Sequence, residues 1–434
     1  MSGAPSPRLA VVGAGWSGLA AAVQATAAGQ QVDVFEMGPR VGGRARSVER
    51  ADGTVWDNGQ HILIGAYTAT LRMMDIVGAD RAKLLARLPL ELRYPDGSGL
   101  TLARGPALWS FTRGVLGAHG WSLADRLALL RTAARWWLGG MRNPGVDTVQ
   151  ALCAGLPARV REQLIEPLCV AALNTPASQA SATVFLRVLN DALFDARGGA
   201  DLLLPRANLS ALFPRPAVDW LAARGCRVHT GHRVRSLRLD GTAWHLDDEP
   251  YAAVILACTP HEAARLAAPV AAAWAQQASA LEYEPIATVY LRRSSRPLPA
   301  PMMALPASGE GPAQFVFDLD RLGVAPAALA FVVSGARPWL GQGLDALAQA
   351  VRAQARAALP THVDLDSPGW LHAAAERRAT FSCTPDLQRP PSVIAPGLLA
   401  CGDYVRGPYP ATLEGSVRSG VDAASQALTF VRSH

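Results

Sequence analysis

Leu9-Ala10-Val11-Val12-Gly13-Ala14-Gly15-Trp16-Ser17-Gly18 is an apolar strand running into three spaced glycines. The Ala-rich run from Leu19 to Ala28 favours helix, and Val32-Asp33-Val34-Phe35, closed by Glu36, reads as a second strand. Strand, turn, helix and strand in this order form a unit that binds a dinucleotide. Gly13 permits the tight turn, Gly15 lets the backbone approach a pyrophosphate at the helix N-terminus, and Gly18 lets helix and strand pack closely. Ser17, in the first helical turn, joins them as a cofactor-binding candidate, and Glu36 stands where a carboxylate holds the adenosine ribose hydroxyls. A bare Gly-x-Gly-x-x-Gly is weak evidence, but this one has a strand before it, a helix after it and an acid about 20 residues on. The expected fold class is α/β with a Rossmann-like nucleotide-binding domain.

NAD and FAD share the adenosine half, so the next stretch has to separate them. It reads Gly38-Pro39-Arg40-Val41-Gly42-Gly43-Arg44-Ala45-Arg46-Ser47. The paired Gly42 and Gly43 permit unusual backbone angles near the cofactor, and Arg44 and its neighbours face phosphates. Near the other end stand Cys401-Gly402-Asp403 and Ala411-Thr412-Leu413-Glu414-Gly415-Ser416, followed by Ser419-Gly420. Together these stretches resemble the signatures of the FAD-dependent amine oxidase and carotenoid desaturase superfamily. The resemblance implies FAD as cofactor and a nucleotide domain interleaved with an α+β substrate domain. It implies that Gly402 and Asp403 meet the ribityl or phosphate groups, and that Thr412, Leu413 and Glu414 form the closing motif. The last helix then points its N-terminus at the flavin pyrimidine, favouring negative charge there. Within Arg224 to Val234, the resemblance assigns the backbone of Val234 to adenine.

The same reading places residues 1–75, 215–265 and 380–434 in the FAD domain, with Ala253-Val254-Ile255-Leu256 as a buried strand stopped before Thr259-Pro260. Residues 76–214 and 266–379 then make the substrate and lipid-binding domain. A chain of 434 residues, half of them hydrophobic, is long enough for two cores.

The net charge of +6 is carried by arginine, with Lys83 the sole lysine, and no nucleic-acid motif accompanies it. Nucleic acid is therefore not an expected partner. Cys153, Cys169, Cys226, Cys258, Cys383 and Cys401 are scattered and read as reduced thiols. No metal is expected, because His229, His232 and His245 lack an accompanying Cys or acidic ligand set, and no GxSxG elbow offers a serine nucleophile. The first strand leaves no room for a signal peptide, and no uncharged apolar run spans a bilayer. The expected location is cytoplasmic, with peripheral contact at the inner face of the membrane. That contact is one reading of the Arg- and Trp-bearing helical stretches at Pro106–Phe111 and Leu127–Leu138; a buried helix pair with solvated arginines is the other.

Val55-Trp56-Asp57-Asn58-Gly59-Gln60-His61-Ile62-Leu63-Ile64-Gly65-Ala66-Tyr67-Thr68 narrows the resemblance to the hydroxysqualene dehydroxylases of hopanoid biosynthesis. Glu166-Pro167-Leu168 with Ala171-Ala172-Leu173-Asn174-Thr175, Arg378-Ala379-Thr380-Phe381, and Gly402-Asp403-Tyr404 with Gly407-Pro408-Tyr409-Pro410-Ala411-Thr412 agree, so the similarity spans nearly the whole chain. It implies reductive removal of the hydroxyl of a long isoprenoid allylic alcohol, with an electron donor the sequence does not specify. Such a reaction needs an acid, a dry apolar tunnel and a carbon set against the flavin. His61 is the first candidate acid; alternatively Gly59, Gln60 and His61 only hydrogen-bond the cofactor. Asp57 either orients His61 or caps its loop, Glu414 either reaches the site or supports the flavin-binding turn, and Tyr409 and Trp370 either line the tunnel or pack the core. Two rivals stay open: an oxidising desaturase or amine oxidase of the same superfamily, and a non-catalytic FAD-bound lipid carrier.

Overall fold

The computed structural model describes residues 8–142, 145–195, 198–306, 311–364, 366 and 370–433. The outermost residues of the expected FAD domain, 1–7 and 434, lie outside that set. Strands β1 (Leu9–Val12), β2 (Val32–Glu36), β3 (Arg227–Thr230), β4 (Ala253–Leu256), β5 (Tyr283–Arg292), β6 (Met302–Ala304), β7 (Phe315–Asp318), β8 (Ala328–Val333), β9 (His372–Phe381), β10 (Val393–Ala395) and β11 (Leu398–Ala400) build two principal sheets. The first runs β3-β2-β1-β4-β11-β10, parallel from β3 to β11 with an antiparallel edge at β10. The second, β6-β7-β8-β5-β9, is antiparallel throughout.

The parallel sheet draws strands from the beginning, middle and end of the chain. Every residue of β1 and β4 is buried, as a strand covered on both faces requires. Helix α1 (Trp16–Ala27) and the terminal helix Leu413–Ser433 lie against one another on this sheet. Their close approach depends on Gly420, where a Cβ would collide with the Ser17 carbonyl. Gly18 is similarly confined: a Cβ there would run into the Gly13 carbonyl. These two contacts give the glycine motifs at the two ends of the chain a packing reason to occur together.

Between β2 and β3 in the chain lies a helical region. Helices α2 (Thr68–Ile76), α3 (Ala107–Leu116) and α4 (Leu123–Leu138) are followed by a helix with one π turn (Arg161–Ile165) before α5 (Glu166–Leu173). A second π turn spans Asp191–Asp195. Both π turns border the same internal cavity described below, where wider turns displace side chains from the regular helical spacing.

Candidate active site

A groove of about 1010 Å³ runs along the C-terminal ends of β1, β2 and β4 and reaches the face of the antiparallel sheet. In parallel sheets this end of the strands, where loops meet helix N-termini, is where ligands bind. Gly13 adopts φ +111°, and a Cβ there would press into the Ala257 backbone. Gly15 caps α1 with no side chain over the exposed amides, so those N–H groups face the groove. Glu36 lines the groove while accepting the Ala14 and Gly38 N–H groups at 2.9 and 2.7 Å. Its carboxylate therefore shapes the turn and keeps lone pairs for a ligand hydroxyl.

The structure brings Gly13, Gly15, Ser17, Glu36, Gly42, Gly43, Arg44, Gly59, Gln60, His61, Val234, Gly402, Asp403, Thr412 and Leu413 onto this one groove. Gly18 lies behind it, in the helix–strand contact. Arg44 bridges the chain ends: its guanidinium donates to Asp403 and to the Ala379 carbonyl. Although burial opposes the charge, Asp403 holds the Arg44 pKa above its ordinary value. Asn58 locks the next turn by donating to the Arg44 carbonyl and to Glu376.

Two expectations need correction, at Glu414 and His61, and at Asp57 one of two alternatives falls away. Glu414 is outside the groove. Its buried carboxylate accepts the Ala69 and Thr70 amides and the Thr70 hydroxyl and pairs with Arg418, so it caps α2. Asp57 does not orient His61; one of its oxygens accepts from Ser47 Oγ and from Leu209 N. Burial raises the Asp57 pKa from 3.8 to about 6. His61, the expected acid, has its pKa lowered by burial, with Arg44 adding to the effect. Its Nδ1 is 2.9 Å from the Gly59 carbonyl, which can only accept, so the neutral ring carries its proton there. That leaves Nε2 with a lone pair, suited to accepting a proton rather than giving one.

The buried hydroxyls of Tyr283, Thr288 and Tyr404 also border this groove and have no protein partner among the described residues. Unpaired buried polar groups are costly, so three in one groove mark places where a ligand supplies the hydrogen bonds. Tyr404 stood in the Gly402-Asp403-Tyr404 stretch without a role, and Tyr283 and Thr288 formed no motif that sequence reading could find.

A second cavity opens beside the groove. It is lined by Phe111 of α3, Leu129, Ala133 and Trp136 of α4, residues of both π turns, and Tyr409. Arg187 and Arg418 flank the Tyr409 ring, whereas Trp370 packs at the antiparallel sheet and lines neither space. Ile62, Tyr67, Ala171, Ala172 and Thr412 border both spaces, so the apolar cavity joins the polar groove along one shared wall.

The family model for flavin-containing amine oxidoreductases matches residues 16–428. Hydroxysqualene dehydroxylase of Rhodopseudomonas palustris is 31% identical over 98% of this chain and 99% of its own. The enzyme of that name from Zymomonas mobilis is 26% identical over 96% and 98%. Among solved structures, an oxidoreductase from Methanosarcina mazei superimposes with a TM-score of 0.75 at 17% identity, over 96% of this chain and 99% of that one. Cyclohexylamine oxidase from Brevibacterium oxydans does so with 0.69 at 16%, over 99% of both. These two establish the fold. FAD is the cofactor, and the glycine cradle, the open α1 amides and the three unpaired hydroxyls fit it.

Proposed function

The chain belongs to the flavin-containing amine oxidoreductases, among the hydroxysqualene dehydroxylases, and from that membership we propose that it reductively removes the hydroxyl of hydroxysqualene to give squalene. The observation that carries this reading is the apolar cavity that shares a wall with the groove that fits FAD. Reduced FAD, when bound, supplies the hydride. The residues of the chain do the rest. The α1 amides, Gly13, Gly15, Ser17, Glu36, Gly42, Gly43, Arg44 and Val234 hold the dinucleotide portion, and Gly59, Gln60, Gly402, Asp403, Thr412 and Leu413 border the ring end. The Arg44–Asp403 pair fixes the floor of the groove, and His61 offers a neutral hydrogen-bond acceptor. Phe111, Leu129, Ala133 and Trp136 take the hydrocarbon from water and keep water from an allylic cation once the hydroxyl leaves.

The isoprenoid reaches this cavity from an anionic membrane surface. Seven of the thirteen large apolar side chains exposed among the described residues lie between Leu108 and Leu138. Helix α4 is apolar on two faces: Leu129, Ala133 and Trp136 line the cavity, while Leu123 and Leu138 are 66% and 79% exposed. A second apolar face beyond the one turned to the cavity suits a helix between a core and lipid. Exposed Arg104, Arg113, Arg131, Arg135 and Arg142 surround this face, and Asp125 is engaged in the α4 capping box. That charge balance matches anionic headgroups. No helix among the described residues is long and apolar enough to cross a membrane.

The test is an anaerobic incubation of photoreduced enzyme with hydroxysqualene. One squalene per flavin, formed as flavin absorbance returns, is expected. Unchanged alcohol, with oxidised enzyme bleached by a polyene precursor, would replace this reading with a desaturase.

A further inference from the structure

Resting on the dehydroxylase reading, the geometry points to Tyr67 as the catalytic residue that hydrogen-bonds the substrate hydroxyl and gives it a proton as the C–O bond breaks. The argument begins with the shape of the substrate. Hydroxysqualene carries its hydroxyl at the middle of a long hydrocarbon, with an isoprenoid arm on either side. The site likewise has two apolar compartments. One is the cavity beneath α3 and α4; the other is the sheet side of the groove, where Ile286, Phe315, Phe317 and Val332 present apolar side chains. One arm in each compartment puts the central carbon at the shared wall, beside the cofactor groove.

Among the described residues, only Ile62, Tyr67, Ala171, Ala172 and Thr412 form that wall. Of these, Tyr67 and Thr412 alone carry a transferable proton, and their side chains interact with each other. The Thr412 hydroxyl accepts the Gly415 amide in the first turn of the terminal helix and donates to the Pro410 carbonyl at 3.4 Å, so its proton already has a protein acceptor. His61 borders the groove but not the cavity, and Glu414 borders the cavity but is saturated by its α2 amides and Arg418. Tyr67 is therefore the donor at the meeting point.

Its position is fixed locally. Tyr67 is the residue before α2, and its amide bonds the Ile64 carbonyl. Burial raises its pKa, with the Glu414 charge adding to this and Thr412 opposing it, so the phenol keeps its proton throughout the neutral range. In the step, the C–O pair leaves with oxygen and the phenol proton completes water; bound reduced FAD would supply the hydride that fills the carbon. The Thr412 hydroxyl stabilises the transient phenolate, which takes a proton back from solvent. The balance is alcohol plus a two-electron reduced cofactor and a proton, giving hydrocarbon, water and oxidised cofactor.

The test compares wild type with Tyr67→Phe, which removes one oxygen and keeps the ring. FAD occupancy and melting temperature are measured first, then anaerobic single-turnover reoxidation by hydroxysqualene, then binding of hydroxysqualene and of squalene to oxidised enzyme by flavin absorbance. We expect unchanged FAD content, a fall in single-turnover rate of about 100-fold or more, and loss of the preference for alcohol over hydrocarbon. Wild-type turnover matched by the variant would overturn the role of Tyr67 and leave the dehydroxylase reading standing. Wild type inert toward hydroxysqualene would overturn that reading; a preference for the alcohol that persisted in the variant would then overturn the Tyr67 contact as well. Thr412→Val, which keeps the Tyr67 hydroxyl, is expected to lose about tenfold; a larger loss than in Tyr67→Phe would make Thr412 the donor.

Discussion

The groove and the cavity meet at one wall, yet they are built on opposite principles. The groove is made of turns: backbone amides, glycines at positive φ, and an Arg44–Asp403 pair linking residues far apart in the chain. The cavity is made of helix faces, with aliphatic and aromatic side chains and two π turns. A charged, hydrogen-bonding ligand needs fixed donors, whereas a hydrocarbon needs only shape and dryness. The difference teaches that binding of cofactor and of substrate should fail independently, and substitutions can test that separation.

The largest effect is expected at the floor of the groove. Arg44→Ala leaves Asp403 buried without its cation, and Asp403→Ala leaves Arg44 without its anion. Both variants should be purified with little FAD, read by absorbance, while their helical content persists. Full occupancy in both would break the map of the groove.

The wall between the two regions comes next. Ala172→Trp puts a large ring where cavity and groove join. It should keep FAD and lower turnover of hydroxysqualene by about 100-fold or more, as misplacement of a reacting group can. Normal turnover would mean that the substrate does not pass this wall.

The outer face of the cavity should respond more mildly. Replacing Trp109, Leu123 and Leu138 by serine should reduce sedimentation with anionic phospholipid vesicles by about tenfold, a loss of roughly 1.4 kcal/mol. Turnover of detergent-dispersed substrate should remain. Undiminished vesicle binding would move the lipid contact away from α3 and α4.

Asp57 gives the smallest and most local effect. Its folded pKa of about 6 lies above the unfolded value of 3.8, so the native state binds the proton more tightly. Stability from this group is present below pH 4 and is lost as pH rises from about 4 to 6. An amide in place of this carboxyl stays neutral at every pH, and its oxygen can accept the same two hydrogen bonds from Ser47 and Leu209. Asp57→Asn should therefore flatten the pH dependence of melting in that window and stabilise the protein at pH 7 by up to about 3 kcal/mol. Parallel melting curves for the two proteins would contradict this.

The same contrast explains what the sequence disclosed. The turn at Gly13 and Gly15, the acid at Glu36 and the ends at Arg44 and Asp403 were legible because backbone conformation and phosphate chemistry restrict which residues can serve. The cavity was not, since Phe111, Leu129, Ala133 and Trp136 follow ordinary helical periodicity and many apolar side chains would serve as well. The exchange between Glu414 and α2 depends on a contact across the whole chain. His61 reads alike from sequence whether charged or neutral; burial and the Gly59 carbonyl decide its state. Tyr67 stood in the stretch that narrowed the resemblance, but only the joining of two cavities gives it a role.

The most direct test of the account follows the hydride itself. Enzyme photoreduced in heavy water, where the transferable flavin hydrogen exchanges, would be given unlabelled hydroxysqualene without oxygen, and the product examined by mass spectrometry and NMR. One deuterium per squalene, on the carbon that had carried the hydroxyl, is the predicted result. Squalene free of deuterium, or a label spread over several carbons, would contradict hydride delivery from the cofactor at the wall between groove and cavity.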